Sequence, residues 1–217
     1  LKSVGLKPTQ KTLVLDYIVG TAMEMLAKGQ PPGEYLGSLV SSDNYILDGH
    51  HRWAAGILAH GPSASSTVWR SSVPAATLVR ILNIITKGQY GVSSGNAGSG
   101  SIRDLNPTQV RKQVEEDLLK GRQNAHFSMT PEKAAEILVA SFGSVEEGVA
   151  ELARRSKMVS KKIPSWAPSR KDMPVIQPRQ APDTARLLQE GEVDWSPPYS
   201  DSLGLGSRSI GLPSIGE

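Results

Sequence analysis

Apolar positions recur along this chain in two rhythms. Leu15, Ile18, Ala22, Met25 and Leu26 fall on one helical face, and Lys28-Gly29 supplies a basic last turn and a stop. After the loop Gln30-Pro31-Pro32-Gly33, Leu39-Val40 and Tyr45-Ile46-Leu47 flank the polar Ser41-Ser42-Asp43-Asn44, which predicts two short strands around a turn. Gly49 permits a tight turn, and Trp53-Ala54-Ala55-Gly56-Ile57-Leu58 predicts a helix packed on that strand until His60-Gly61-Pro62. Thr67-Val68-Trp69-Arg70 reads as a further strand. Behind Pro74, Leu78, Val79, Leu82 and Ile85 form one stripe that Lys87-Gly88 ends.

Farther along, Asn106-Pro107-Thr108-Gln109 reads as a helix start with Asn as cap, Pro in the first turn and Gln reaching back. Val110, Val114 and Leu118 are its buried stripe and Gly121 its end. Thr130-Pro131-Glu132 opens a helix through Phe142. Ser144-Val145-Glu146-Glu147 is a capping box before a third, with Val149, Leu152 and Val159 on one side. The pattern therefore predicts an α+β fold: a small α+β domain at 1–88, a Gly/Ser-rich loop at 89–105, a helical subdomain at 106–163 and an extended Pro/Gly-rich C-terminal arm at 164–217.

Composition sharpens the last of these. Of 217 residues, 21 are Gly and 15 Pro, and eight of the prolines, from Pro164 to Pro213, lie in the last quarter, which is unlike an ordinary packed domain. Met173-Pro174-Val175-Ile176-Gln177-Pro178 has polyproline character, and Thr184 to Gln189 has room for one or two helical turns. An arm of this kind needs a surface to hold it, and neighbouring subunits of a large assembly are the expected provider. Its removal is expected to leave the first domain folded.

The formal charge of +3 is mild, so a basic footprint for nucleic acid has to be local. The chain has no Cys, which excludes a disulfide framework and thiolate metal sites and suits a reducing interior. No apolar run is long enough to span a membrane and no secretory signal is read, so no membrane partner is expected; with Leu as the first residue, a missing or renumbered native start is the expectation.

The candidate chemistry lies in Asp48-Gly49-His50-His51-Arg52, where the predicted strand turns into a helix. Such a turn aims backbone N–H groups and the positive end of a helix dipole at one point, and Arg52 with two imidazoles makes that point suited to phosphate or another anion. Each residue also has a plainer reading: Asp48 as a helix cap, Arg52 as an ion-pair partner, one histidine turned away from whatever the other faces. No metal site is expected, because adjacent histidines do not face one ion and no His-x-x-x-His pair completes a set. The Gly/Ser run from Gly88 to Ser101 lacks a Gly-Lys-Ser/Thr ending, so it reads as a surface-laid loop ahead of a phosphate cradle or a closure over the His/Arg turn.

Asp48-Gly49-His50-His51-Arg52-Trp53-Ala54-Ala55, together with the lead-in Leu6-Lys7-Pro8-Thr9-Gln10, resembles the ParB/sulfiredoxin-fold superfamily over roughly residues 1 to 90. Ser94-Gly95-Asn96, Ser165-Trp166-Ala167-Pro168 and Asp194-Trp195 look most like its phage-encoded ParB-like members. That superfamily includes CTP-binding ParB proteins, free-serine kinases, sulfiredoxins and phage proteins classed as nucleases. The resemblance implies a ParB/sulfiredoxin-like N-terminal domain in which Gly49, His50, His51 and Arg52 contact phosphate, while Asp48, His50 and His51 carry any catalysis. It implies a nucleoside triphosphate with Mg2+ as the cofactor and, if active, nucleotide hydrolysis, phosphotransfer or DNA cleavage. The sulfiredoxin reaction is excluded, since it uses a Cys where this chain has the His pair.

Two further features bear on partners. Arg154, Arg155, Lys157, Lys161, Lys162, Arg170 and Lys171 form the densest basic stretch, either a solvated helix face and linker or a contact for nucleic-acid phosphates, with Arg154, Arg155, Lys161 and Lys162 as the contact candidates. Trp166 and Trp195 stand among prolines and read as anchors inserted into a partner or into the chain's own body. The expected role is a phage-type ParB-like structural or assembly component, in a virion or in host cytoplasm, carrying a phosphate- or nucleotide-binding turn. The alternatives are a nucleotide-dependent enzyme and a DNA-binding protein.

Overall fold

The computed structural model describes residues 1–30, 35–88, 100–121, 128–169, 173–174 and 180–190. Its strands are β1 (Lys7–Pro8), β2 (Tyr35–Val40), β3 (Tyr45–Ile46) and β4 (Thr67–Arg70). Its helices are α1 (Leu15–Ala27), α2 (His50–His60), α3 (Ala75–Gly88), α4 (Pro107–Lys112), α5 (Pro131–Phe142), α6 (Val145–Arg155) and α7 (Ala181–Glu190). The class is α+β, as the hydrophobic pattern predicts.

The strands form one sheet in the order β1-β3-β2-β4, with β1 parallel to β3, β2 antiparallel to β3 and β2 parallel to β4. The β2–β3 hairpin turns at Ser41–Asn44, where Asn44 takes φ 65°, a conformation that Asn tolerates better than most residues. Asp43 in that turn also serves α3: its Oδ1 accepts the Ser41 hydroxyl at 2.6 Å and the Ala75 backbone N–H at 3.0 Å, and so caps a helix that begins after Pro74. Partial burial pushes the Asp43 carboxyl up, but these hydrogen bonds and the nearby Lys7 charge outweigh it and hold the group below its ordinary value.

Each apolar pair in the hairpin splits across the sheet, because successive side chains on a strand point to opposite faces. Val40 and Ile46 enter a core with α1 and α2, whereas Leu39 and Leu47 enter a second core with Leu78, Leu82 and Ile85 of α3 and Leu187 of α7. The sheet is thus the middle layer, covered on both sides, and its short strands read as apolar runs for that reason.

The larger core does not stop at residue 88. It continues through Val110, Val114, Leu118, Ile137, Leu138, Val149, Leu152 and Val159, so the later helices pack on α1 and α2 around one shared interior. Their starts follow the capping chemistry legible in the sequence. Asn106 Oδ1 accepts the Gln109 N–H, Thr130 Oγ1 that of Lys133 and Ser144 Oγ that of Glu147, each at 3.1–3.2 Å. At the first of these the bond comes from the Gln109 backbone. Beyond Lys112, α4 runs on as a π-helix (Gln113–Leu118) that keeps Val114 and Leu118 buried.

Within the stretch expected as an arm at 164–217, part of the described chain folds back onto the body. α7 is a ten-residue helix whose Leu187 is buried in the chain's own second core, and Met173 and Ala167 are buried as well. Amphipathic spacing overrides the Pro-rich setting, because Thr184, Leu187 and Leu188 share a face that the sheet can cover. The Gly/Ser run at 89–99, the loop at 31–34, Arg170, Lys171 and Trp195 lie outside the described residues.

Candidate functional site

β3 ends at Ile46, and three residues later Gly49 stands at φ 79°, where a side chain would strain the backbone. The helix starts directly after it, so His50, His51 and Arg52 occupy the first turn of α2 itself. Gly49 is its N-cap and has no side chain to cap the helix. Asp48 precedes it. Its Oδ1 accepts the N–H of Gly49 at 2.7 Å, which rigidifies the turn.

The two histidines divide as adjacent helical residues must, but both face the chain. His50 is 1% exposed, and its Nε2 accepts the Thr9 backbone N–H at 3.1 Å. Thr9 Oγ1, 3.2 Å from the same nitrogen, donates to the Ile46 carbonyl at 2.6 Å and so joins β3, the lead-in and α2. His51 Nε2 accepts the Val14 N–H at 3.0 Å, and its ring meets Tyr17 edge-on at 5.3 Å. A ring nitrogen that accepts an N–H carries no proton there. Both imidazoles therefore present bare Nε2 atoms to the segment 9–14 and hold it against the start of α2.

The same segment is gripped from its other side. The Ile102 N–H donates to the Lys11 carbonyl at 2.8 Å, and Gly100 lies so close that a Cβ there would come within 2.3 Å of the Leu13 carbonyl oxygen. Only glycine allows this approach, at φ 144°.

Arg52 is half-buried and makes no hydrogen bond or ion pair with any described residue. The site thus comprises a helix start with glycine at its N-cap, an arginine in its first turn and a braced turn below. It can hold an anion. A buried His50 engaged through Nε2 acts as a brace, and of the expected catalytic trio Asp48 and His51 are engaged in the same bracing.

The remaining predicted contacts disperse. Arg155 is a structural residue: its Nη1 donates to the Leu58 and Ala59 carbonyls at the end of α2, its Nε to Glu151 Oε1 at 2.7 Å, and its guanidinium lies over the Phe142 ring at 5.1 Å. Lys161 Nζ donates to the Ser156 and Val159 carbonyls, and burial pushes its ammonium pKa down. Both side chains are engaged within the chain itself. Arg154 is exposed and paired with Glu151, and Lys162 is exposed. Trp166 meets Tyr45 of the chain's own β3 edge-on at 5.4 Å. The lead-in pattern marked Thr9, but nothing in the sequence signalled the bracing roles of Thr9 and Val14, since a backbone N–H carries no residue code. Comparison of the chain with protein-family models, curated proteins and solved structures returned no match.

Proposed function

We propose that this chain is a phage-type ParB/sulfiredoxin-like protein whose Gly49–Arg52 turn binds the phosphate of a nucleotide, and that it serves as an assembly component more than as a hydrolytic enzyme. The observation that carries the reading is Arg52, half-exposed in the first turn of a helix whose N-cap is glycine and unpaired among the described residues, on a turn braced by two imidazoles. The strand, Gly turn and helix follow the order that the resemblance implies. Enzymatic readings are less supported, because His50 is sealed and both histidines spend Nε2 on backbone N–H groups.

The residues fit a phosphate better than a bare cation: no group of three His, Asp or Glu side chains converges among the described residues. Asp48, the carboxylate nearest this turn in sequence, would help hold a Mg2+ ion, which would supply charge neutralisation at the phosphate. Arg52 and the first-turn N–H groups would fix the phosphate.

Isothermal titration of the whole chain with CTP, ATP, GTP and pyrophosphate tests this. One of them is expected to bind, and Arg52→Ala to weaken it by about tenfold or more, the loss of a charge-assisted hydrogen bond. No binding, or binding unchanged in Arg52→Ala, refutes the site. For the assembly role, deletion of 191–217 is expected to abolish incorporation into particles while leaving α7 and the fold in place. A truncated chain that incorporates normally refutes it.

A further inference from the structure

We propose that a second surface, formed by Trp166, Tyr45 and Lys7, binds single-stranded nucleic acid, with the indole stacking a base and the surrounding cations holding phosphates. It lies at the opposite end of β3 from Gly49. The parallel register Lys7↔Tyr45 sets these two residues side by side, and Lys7 Nζ stands 4.8 Å from the centre of the Tyr45 ring. Trp166 abuts the same ring at 5.4 Å with its plane turned by 71°. The turn that carries it is fastened by the Ala167 N–H to the Pro164 carbonyl at 3.1 Å and by the burial of Ala167. The indole is therefore positioned by its neighbours and still 38% exposed.

The charges around this ring select the occupant. Lys7 and Arg70 converge on the hairpin turn from its two sides. Lys7 donates to the Asp43 carbonyl at 3.1 Å and Arg70 Nη2 to the Ser42 carbonyl at 3.0 Å, and both side chains are exposed. Lys162, exposed, lies four residues before Trp166 on the same segment. The carboxylate of the hairpin, Asp43, is tied to Ser41 and the start of α3 and offsets part of the Lys7 charge, which leaves Lys7 and Arg70 together in excess of it. An aliphatic or proline-rich peptide calls for an apolar groove. Here the exposed Trp166 and the half-buried Tyr45 form an aromatic platform with the Lys7 ammonium beside it, which matches the alternation of base and phosphate in an unpaired strand. A duplex offers no free base face to such a platform.

The test is fluorescence anisotropy of the full chain with labelled oligo-dT and oligo-rU of about twelve nucleotides, a length within the usual site size of stacking proteins. Binding of either strand is expected, with Trp166→Ala weakening it about tenfold and Trp166→Phe retaining most of it. The double variant Lys7→Ala/Lys162→Ala is expected to flatten the salt dependence by about 1.4 in log–log slope, the value for two phosphate contacts on a single strand. Arg52→Ala is expected to bind normally, which separates this surface from the phosphate turn. Absence of binding, tighter binding of a duplex, or equal binding by Trp166→Ala with a native thermal midpoint overturns the proposal, as does loss confined to Arg52→Ala.

Discussion

At the scale of single residues, His50 illustrates how burial redirects a reactive group. An imidazole that accepts the Thr9 N–H through Nε2 inside the core cannot offer that nitrogen to a ligand. Its removal strands a buried donor and leaves a cavity. His50→Ala is expected to lower unfolding free energy by about 2 to 4 kcal/mol in urea titration, and His50→Gln, which can keep an acceptor near the Nε2 position, by clearly less. Equal losses for the two would show that the hydrogen bond does not matter. The glycines make a second contrast. Gly49→Ala is expected to cost about 1 kcal/mol for its left-handed backbone, and Gly100→Ala more, since its Cβ would collide with the Leu13 carbonyl oxygen at 2.3 Å.

At the scale of elements, α2 is held at both ends by side chains from elsewhere in the chain. Segment 9–14 is fastened to its first turn. At its last turn Arg155, only 15% exposed, offers a guanidinium to the carbonyls of Leu58 and Ala59, where the helix dipole favours positive charge. Glu151 orients that guanidinium. The hydrogen bond from Arg154 is the main reason that the Glu151 carboxyl is held at about 2, below its ordinary 4.5, with Arg155 assisting against the opposing effect of burial. Because the folded pKa is depressed, this contribution is complete above about pH 4.5 and is lost as pH falls toward 2. Thermal midpoints measured across that window should therefore drop more steeply in the native chain than in Glu151→Gln, and parallel curves would contradict the assignment.

At the scale of the whole molecule, α7 is what closes the second face of the sheet. Leu187 sits against Leu39, Leu47 and the α3 stripe. Deleting 164–217 is therefore expected to expose that face and to lower the thermal midpoint by several degrees, whereas deleting 191–217 leaves α7 in place and should cost little. Identical midpoints for the two truncations would mean that α7 contributes nothing to the fold. This replaces the expectation, natural from Pro content alone, that the arm is dispensable to the first domain. The helices after residue 106 do not stand apart either, since they complete the core that α1 and α2 begin.

Much of this was legible in the chain. The 3.6-residue stripes of α1 and α3, the Asn106, Thr130 and Ser144 caps, the hairpin around Ser41–Asn44 and the glycine turn at 49 all follow from local rules, because helix ends, turns and apolar periodicity depend on residues a few positions apart. The Asp48–Arg52 cluster could likewise be picked out, since its residue types crowd one predicted helix start. What only the tertiary structure decided is which of those groups stays available. His50 and Thr9 are 41 residues apart, Arg155 and Leu58 97, and no local pattern encodes such pairings. They follow from how the layers pack, and packing is what turned two histidines and an arginine of the basic stretch into braces, while leaving Arg52 and Trp166 at the surface.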